Sequence, residues 1–321
     1  MNILITSAGQ RVSLVRIFKK ELMKMYPTGN VFTTDMCPHL SPACRVSDKS
    51  FQVKKVTDRG YIEELLNICL RYKIKMVIPT IDTELLELAY NKDKFACLGI
   101  HVVISSPGFV EKCRDKRKTN IFFQQHDIDI PRPIDKNNPS FPMFIKPYDG
   151  SLSADTFIIY KQEDIKKKYV EDERYLFMEY INKQEYDEYT VDMYYDRDSI
   201  LKCLIPRKRL VIRAGEITKG ITCKNSLVPF LKTHLEHIEG VTGCITAQFF
   251  LHKTEEHIMA IEINPRFGGG YPLSYHAGGN YPSWLFMEYF NNEHIQYYDK
   301  WQGNMLMLRY DDEVIVYEPN S

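Results

Sequence analysis

The first hundred residues alternate between short apolar runs and stretches with helical periodicity. Short apolar runs bounded by turn residues predict buried strands, and apolar positions three and four residues apart predict helices. The predicted strands are 2–6, 30–35, 75–79 and 101–105, and the predicted helices are built around Val12–Leu22, Tyr61–Cys69 and Leu85–Ala89. Strands that alternate with helices form right-handed crossovers, so this part predicts a parallel, doubly wound α/β sheet.

Polar and small residues follow three of these strands. In open α/β sheets, ligands bind beyond the carboxyl ends of the strands. Thr6–Gly9, Asp35 and Thr80–Asp82 are therefore predicted to form a binding edge. The loop after the first strand contains one glycine and not a GxGxxG sequence, which favours a tight turn over a dinucleotide site and argues against an NAD(P) oxidoreductase.

The pattern changes after Pro107 and Gly108, where a basic helix is followed by strand-like runs in close succession. This pattern predicts an antiparallel α+β region and a domain boundary near residue 106. At the carboxyl end, Met305–Tyr310 and Val314–Tyr317 are predicted to pair as a hairpin within 301–321. The other predicted strands are 143–146, 156–161, 176–179, 189–195, 200–205, 245–251 and 258–263.

The run Ile261–Arg266 holds the clearest chemical pattern. Because strand side chains alternate between faces, Glu262 and Asn264 share one face while the isoleucines point into the core. A hairpin centred near Glu255 places Gln248 opposite Glu262. Carboxylate and amide oxygens suit Mg²⁺, and Arg266 adds a cation that can hold phosphate. The alternative interpretation is an amphipathic strand with an exposed polar face.

Two further stretches suggest a phosphate-binding loop and a nucleotide edge. Lys146 ends a strand and opens into the small-residue loop that includes Ser151. Backbone N–H groups in such a loop can hold phosphate, although an ordinary turn below a surface lysine explains the same sequence. Glu179 ends another apolar strand, and Glu188 follows it. This last signal is weak on its own, because many strands end in glutamate.

Taken in their order along the chain, the three stretches resemble the ATP-grasp superfamily. In particular, they resemble single-copy relatives of the carbamoyl-phosphate synthase large chain. The resemblance implies a Rossmann-like pre-ATP-grasp domain over 1–105 and an ATP-grasp domain over 106–300, with its two subdomains hinged near 179–181. It implies Lys116 and Lys146 as ATP lysines, with Mg²⁺ or Mn²⁺ as the metal. The residues implied to bind or act are Lys116, Lys146, Ser151, Glu179, Tyr180, Ile181, Glu188 and Arg266 for ATP, Gln248, Glu262 and Asn264 for the metal, and Arg266, Lys146 and Arg207 for catalysis.

The resemblance also implies an activity. The expected enzyme is an ATP-dependent carboxylate–amine ligase that forms an amide through an acyl phosphate and releases ADP and phosphate. Arg207 and Arg213 would face phosphate or the substrate carboxylate, Gly268–Gly270 would line the acceptor site, and His276 could assist a proton transfer. The alternatives are activation of bicarbonate, as in carbamoyl-phosphate synthase, and a nucleotide-binding regulatory protein without turnover. Leu152 and Asp155 depart from the usual glycine-rich lid and motivate the regulatory alternative.

The amino-acid composition limits the kinds of partner that the chain is expected to bind. The 42 Lys and Arg residues balance 42 Asp and Glu residues, which argues against a nucleic-acid or polybasic membrane binder. Eight scattered cysteines without a CxxC pair favour free thiols in the cytoplasm. The expected ligands are a small carboxylate and a small amine, and a homodimer is compatible with the family.

Overall fold

The computed structural model describes residues 1–150, 155–213 and 215–317. Its amino-terminal part is a parallel sheet of five strands in the order β3-β2-β1-β4-β5, all within residues 1–105, so the predicted doubly wound sheet is confirmed. The strand β3 was not predicted, because its polar sequence KSFQ carries no apolar run. The elements are β1 Asn2–Ile5, α1 Val12–Met25, β2 Asn30–Asp35, α2 Pro42–Val46, β3 Lys49–Gln52, α3 Tyr61–Arg71, β4 Ile74–Ile78, α4 Asp82–Tyr90, α5 Lys92–Ala96 and β5 His101–Val102, with a 3₁₀ turn at Pro38–Leu40.

Hydrogen bonds tie the loops at the carboxyl edge of this sheet to one another. The backbone N–H of Gly9 donates to Asp35 Oδ2 at 3.0 Å, and the Thr80 hydroxyl donates to the Ser7 carbonyl at 2.8 Å. Gly9 has φ +50°, a left-handed conformation that glycine adopts at low cost. The predicted binding edge is therefore an ordered surface.

Two helices lead from this sheet into a small antiparallel sheet. Pro107 occupies the first turn of α6, where a missing N–H costs nothing, and the Asp115 carboxylate caps α7 by accepting from Arg117 N at 2.9 Å. The small sheet has the order β7-β6-β8 among the described residues. Its elements and the two helices are α6 Pro107–Arg114, α7 Lys116–Gln125, β6 Met143–Pro147, β7 Phe157–Ile159, α8 Lys167–Glu171 and β8 Tyr175–Glu179, with a 3₁₀ turn at Gln162–Asp164.

The remaining strands form a larger antiparallel sheet, with the order β13-β12-β9-β10-β11-β14 across the described residues. The predicted carboxyl-terminal hairpin is wrong: Leu306–Leu308 pairs with β11, and residues 311–317 contain no strand. The strand at Leu306–Leu308 pairs with a distant strand at the edge of the large sheet instead of with the residues that follow it. The elements are β9 Tyr186–Tyr195, β10 Leu201–Arg213, β11 Glu216–Thr222, α9 Leu227–His234, β12 Gly243–His252, β13 Ile258–Asn264, α10 Tyr271–His276, α11 Tyr281–Phe290 and β14 Leu306–Leu308.

Helix α1 joins the parallel sheet to the carboxyl-terminal helices through one shared core. The ring of Phe18 is fully buried and meets Phe267 and Phe286 edge-to-face, at centroid distances of 5.5 Å and 6.1 Å. Beside these rings the buried Glu21 accepts hydrogen bonds from the Tyr275 hydroxyl and the Asn280 amide. The parallel sheet and the carboxyl-terminal helices are thus held together by packing and by a satisfied carboxylate.

We expect Phe18→Ala to lower the free energy of unfolding by about 3–5 kcal/mol, because it leaves a cavity in this shared core. Denaturant unfolding followed by circular dichroism measures the change. The matched control is Leu70→Ala on α3, where the side chain is 53 % exposed and the loss should stay near 0.5 kcal/mol. Similar losses in both variants would contradict the role given to Phe18.

Candidate active site

A cavity of about 1030 Å³ is lined by residues from all three sheets and their loops. It brings together most of the residues singled out by the sequence, whereas Arg213 and His276 are exposed and lie outside its lining. Ser151 and Leu152 lie outside the described residues. The predicted residues that line the cavity are Lys116, Lys146, Glu179, Tyr180, Ile181, Glu188, Arg207, Gln248, Glu262, Asn264, Arg266 and Gly268–Gly270.

A row of paired residues crosses four strands of the large sheet on the cavity side. Gln248 on β12 pairs with Glu262 on β13 and with Thr190 on β9, and Thr190 pairs in turn with Arg207 on β10. Directly paired residues project to the same face of a sheet. The predicted hairpin register, with Gln248 opposite Glu262, is therefore confirmed, and the row also aligns Arg207 with this pair.

Two of the three predicted metal ligands donate hydrogen bonds to the carboxylate of the third. Gln248 Nε2 donates to Glu262 Oε1 at 2.7 Å, and Asn264 Nδ2 donates to the same oxygen at 3.2 Å. No cluster of three or more His, Cys, Asp or Glu side chains suited to a metal occurs in the part of the chain that is described. The donor set is thus one carboxylate with amide neighbours, which suits a hard cation that also takes phosphate oxygens.

Two lysines stand beside this carboxylate. The Lys116 ammonium lies 4.0 Å from Glu262 Oε2 and also donates to the Gly150 carbonyl. Lys146 is 7 % exposed. Burial lowers the pKa of Lys146 to about 8; the charge of Lys116 also lowers it, and Glu262 opposes both effects. The end of the cavity near Glu262 therefore carries positive charge and is partly shielded from water.

The predicted adenine hinge lines the cavity where β8 ends, but its carboxylate already has partners. Glu179 Oε1 accepts from the Arg132 backbone N–H at 2.7 Å, and Oε2 lies 3.7 Å from Arg132 Nε. The Tyr180 N–H donates to the Pro142 carbonyl at 3.4 Å. The adenine-binding role of Glu179, Tyr180 and Ile181 stays a prediction.

Arg209 is a site residue that the sequence reasoning missed. Its side chain is 7 % exposed, and Nη1 lies 2.8 Å from Glu188 Oε1 and 2.7 Å from Gln248 Oε1. Strand parity places it on the same face as Arg207, which was the available signal. Arg213 was chosen instead, but register shifts between Arg209 and Ile212 break the alternation, and Arg213 pairs with Asp311 in solvent.

Arg207 is held by a fully buried carboxylate. Its Nε and Nη2 donate to Asp192 at 2.8 Å and 3.0 Å, and the two side chains are 1 % and 0 % exposed. Asp192 also accepts from the Ser274 and Thr246 hydroxyls. Arg207 Nη1 has no hydrogen-bond partner among the described atoms. The guanidinium is therefore fixed from one side, and its Nη1 is a buried donor that no described group satisfies.

Arg266 connects the large sheet to the amino-terminal sheet. Its Nε and Nη2 donate to the Asp82 carboxylate at 3.0 Å and 2.7 Å, and Nη1 donates to the Phe267 carbonyl. Asp82 begins α4 on the predicted binding edge. Stabilisation of a phosphoryl group by Arg266 stays a prediction.

The parallel sheet, the two antiparallel sheets and the cavity between them define an ATP-grasp fold. The family model for the PylC-like, N-terminal domain matches residues 3–103. A second model, for ATP-grasp in the biosynthetic pathway with Ter operon, matches residues 171–311. The chain therefore has an ATP-grasp fold, and the predicted resemblance is confirmed. No curated protein matches the chain.

Solved structures similar to the chain share this fold at low sequence identity. The biotin carboxylase domain dimer of Hydrogenobacter thermophilus 2-oxoglutarate carboxylase, in complex with MgADP, ADP and bicarbonate, gives a TM-score of 0.71 at 12 % identity, covering 94 % of this chain and 72 % of that one. The Staphylococcus aureus N5-carboxyaminoimidazole synthetase complexed with ADP gives 0.67 at 15 %, covering 96 % and 79 %. The L-amino acid ligase of Bacillus licheniformis gives 0.65 at 15 %, covering 89 % and 73 %.

We expect the affinity for MgATP to fall as the pH rises through about 8, because Lys146 loses the charge that attracts phosphate above its lowered pKa. The loss is at most tenfold per pH unit for a single proton. Calorimetric titration between pH 7 and 9.5 measures it. Lys146→Met should bind weakly at every pH, and a parallel decline in this variant would contradict the assignment.

We expect Arg209→Met to weaken MgATP binding by about 10- to 100-fold, because Glu188 and Gln248 both lose the guanidinium that positions them, and one charge-assisted hydrogen bond is worth about 1.5–3 kcal/mol. Calorimetric titration of both proteins measures the ratio of dissociation constants. Arg213→Met makes the same change at an exposed site, and its affinity should match the wild type. Equal effects of the two substitutions would rule out an organising role for Arg209.

Proposed function

We propose that this chain is an ATP-dependent carboxylate–amine ligase that forms an amide through an acyl phosphate and releases ADP and phosphate. The observation that carries the proposal is the cross-strand row, which aligns Glu262, Gln248 and Arg207 on the wall of the cavity that also contains Lys116 and Lys146. Similar structures support it, since they include complexes with MgADP and bicarbonate and an L-amino acid ligase.

The cavity suits a nucleotide with a second small molecule. Its volume of about 1030 Å³ is at the upper end of the range of about 300–1,000 Å³ that is usual for small-molecule sites. We assign the phosphates to Lys116 and Lys146, the ribose to Glu188 and the adenine to residues 179–181. The domain boundary near residue 106 remains part of this proposal; β5 ends at Val102 and α6 begins at Pro107.

Glu262, together with its neighbours Gln248 and Asn264, fits a magnesium ion. Glu262 offers a carboxylate and Asn264 an amide oxygen, while Gln248 orients Glu262 and has its own oxygen engaged by Arg209. Mg²⁺ is usually held by one or two carboxylates together with substrate phosphates, which matches this sparse donor set. When bound, the ion would neutralise charge on the phosphates of ATP.

The proposed reaction has two displacements. An oxygen of the substrate carboxylate attacks the γ-phosphorus, the bond to the bridging oxygen breaks, and ADP leaves. The amine then attacks the carbonyl carbon of the acyl phosphate, gives up a proton and displaces phosphate. The chain positions these groups and neutralises their charge. Arg207, fixed by Asp192, holds the carboxylate, and Arg266 lies beside the transferring group.

The test is nucleotide product formation with pooled amino acids, small dicarboxylates, sugar acids and amines as substrates. We expect substrate-dependent ADP and phosphate, and at least a hundredfold loss of turnover in Glu262→Ala with the fold retained. Glu255→Ala, in the exposed turn of the same hairpin, is the matched control and should keep wild-type turnover. AMP with pyrophosphate, or undiminished ADP in Glu262→Ala, would refute the mechanism.

We also propose a cytoplasmic homodimer. All eight cysteines are in described ranges and unpaired, as expected in a reducing compartment, and no helix of the described chain is long and apolar enough to cross a bilayer. The similar carboxylase domain was crystallised as a dimer. Sedimentation equilibrium of the full chain tests the oligomeric state.

A further inference from the structure

Five charged side chains meet where the amino-terminal sheet faces the Gly268–Gly270 segment. Two ion pairs are formed, with Arg266 Nη2 2.7 Å from Asp82 Oδ2 and Arg309 Nη1 3.8 Å from Glu216 Oε2. Arg11, in the loop after β1, lies close enough to interact electrostatically with all four. Within this group of five side chains, three positive charges therefore face two negative charges.

The unbalanced charge belongs to Arg11. Its side chain lines the cavity but donates no hydrogen bond and forms no ion pair within residues 1–150, 155–213 and 215–317, whereas each of its four charged neighbours has a partner. Burial lowers the pKa of Arg11, the charges of Arg266 and Arg309 act in the same direction, and the carboxylates of Glu216 and Asp82 oppose them. An arginine nevertheless stays protonated in proteins. Arg11 is only partly exposed, and a ligand that supplies a negative charge would stabilise a cation in this setting.

Charged side chains pack directly against the backbone of the Gly268–Gly270 segment. A Cβ atom on Gly269 would lie 1.9 Å from Glu216 Oε2, and one on Gly270 would lie 2.1 Å from Arg207 Nη1. The absence of side chains therefore allows these groups to approach the backbone. Arg207 Nη1 is itself buried and without a partner among the described atoms. Guanidinium groups thus line the cavity from both the large sheet and the amino-terminal side.

We propose that the carboxylate substrate carries a second anionic group, a carboxylate or a phosphate, and that Arg11 binds this group and selects for it. The inference rests on the proposed function, which assigns the reacting carboxylate to Arg207 and leaves Arg11 for a different part of the same molecule. A guanidinium recognises both carboxylate and phosphate through paired hydrogen bonds. Arg11 is thus a specificity-determining residue, contributed by the amino-terminal sheet to a reaction site on the large sheet.

Binding of simple acids tests this without requiring turnover. The full chain, saturated with MgADP, is titrated calorimetrically with glutarate, with 3-phosphonopropionate and with the monoanion butyrate. We expect at least one dianion to bind tenfold or more tightly than butyrate, a difference of about 1.4 kcal/mol. Arg11→Met should reduce its affinity to the level of butyrate, and Arg11→Lys should recover part of the difference. The preferred dianion identifies the second group as carboxylate or phosphate.

The matched control is Arg16→Met on α1, an exposed arginine outside the cavity lining, which should leave all three affinities unchanged. The proposal is overturned if neither dianion is preferred over butyrate, or if Arg11→Met and Arg16→Met behave alike. Failure of the proposed function has a different signature. In that case no acid produces ADP, while the preference for dianions and its dependence on Arg11 are still measured directly by binding.

Discussion

The buried ion pair between Asp192 and Arg207 is the interaction on which the cavity wall of the large sheet depends. Two charges removed from water are tolerated only when nearly every lone pair and proton has a partner. Asp192 meets this condition through Arg207, Ser274 and Thr246, which belong to β10, α10 and β12. One carboxylate thus holds two strands and a helix in fixed relative positions. The same carboxylate orients the guanidinium of Arg207.

The large sheet is polar on the face that lines the cavity and apolar on its other face. Strand alternation places Glu188, Thr190 and Asp192 of β9 on the cavity side, while Val191 and Met193 are buried in the opposite core. The neighbouring strands repeat this alternation in register. The binding surface is therefore a property of the whole sheet and of its pairing, and no single loop creates it.

Local pattern was enough to predict the features that depend on alternation and on short turns. The pairing of Gln248 with Glu262 follows from hairpin length and strand parity, and the parallel sheet follows from the alternation of strands and helices. Arg213 was misjudged because bulges in β10 reset the parity, and the terminal hairpin because β14 pairs with a distant strand. The exposed sheet edge that attracts β14 is created only by folding, so its partner could not be read from nearby residues.

The pair formed by Asp82 and Arg266 has a thermodynamic consequence. Asp82 follows a strand of the amino-terminal sheet and Arg266 follows a strand of the large sheet, so the pair stabilises one relative orientation of these sheets only while the guanidinium stays on the carboxylate. An anionic ligand that attracts Arg266 must compete with Asp82. Ligand binding therefore weakens the pair of Asp82 and Arg266, and this pair weakens ligand binding by the same free energy. Occupancy of the cavity and orientation of the sheets are therefore reciprocally linked, as any two equilibria that share one group must be.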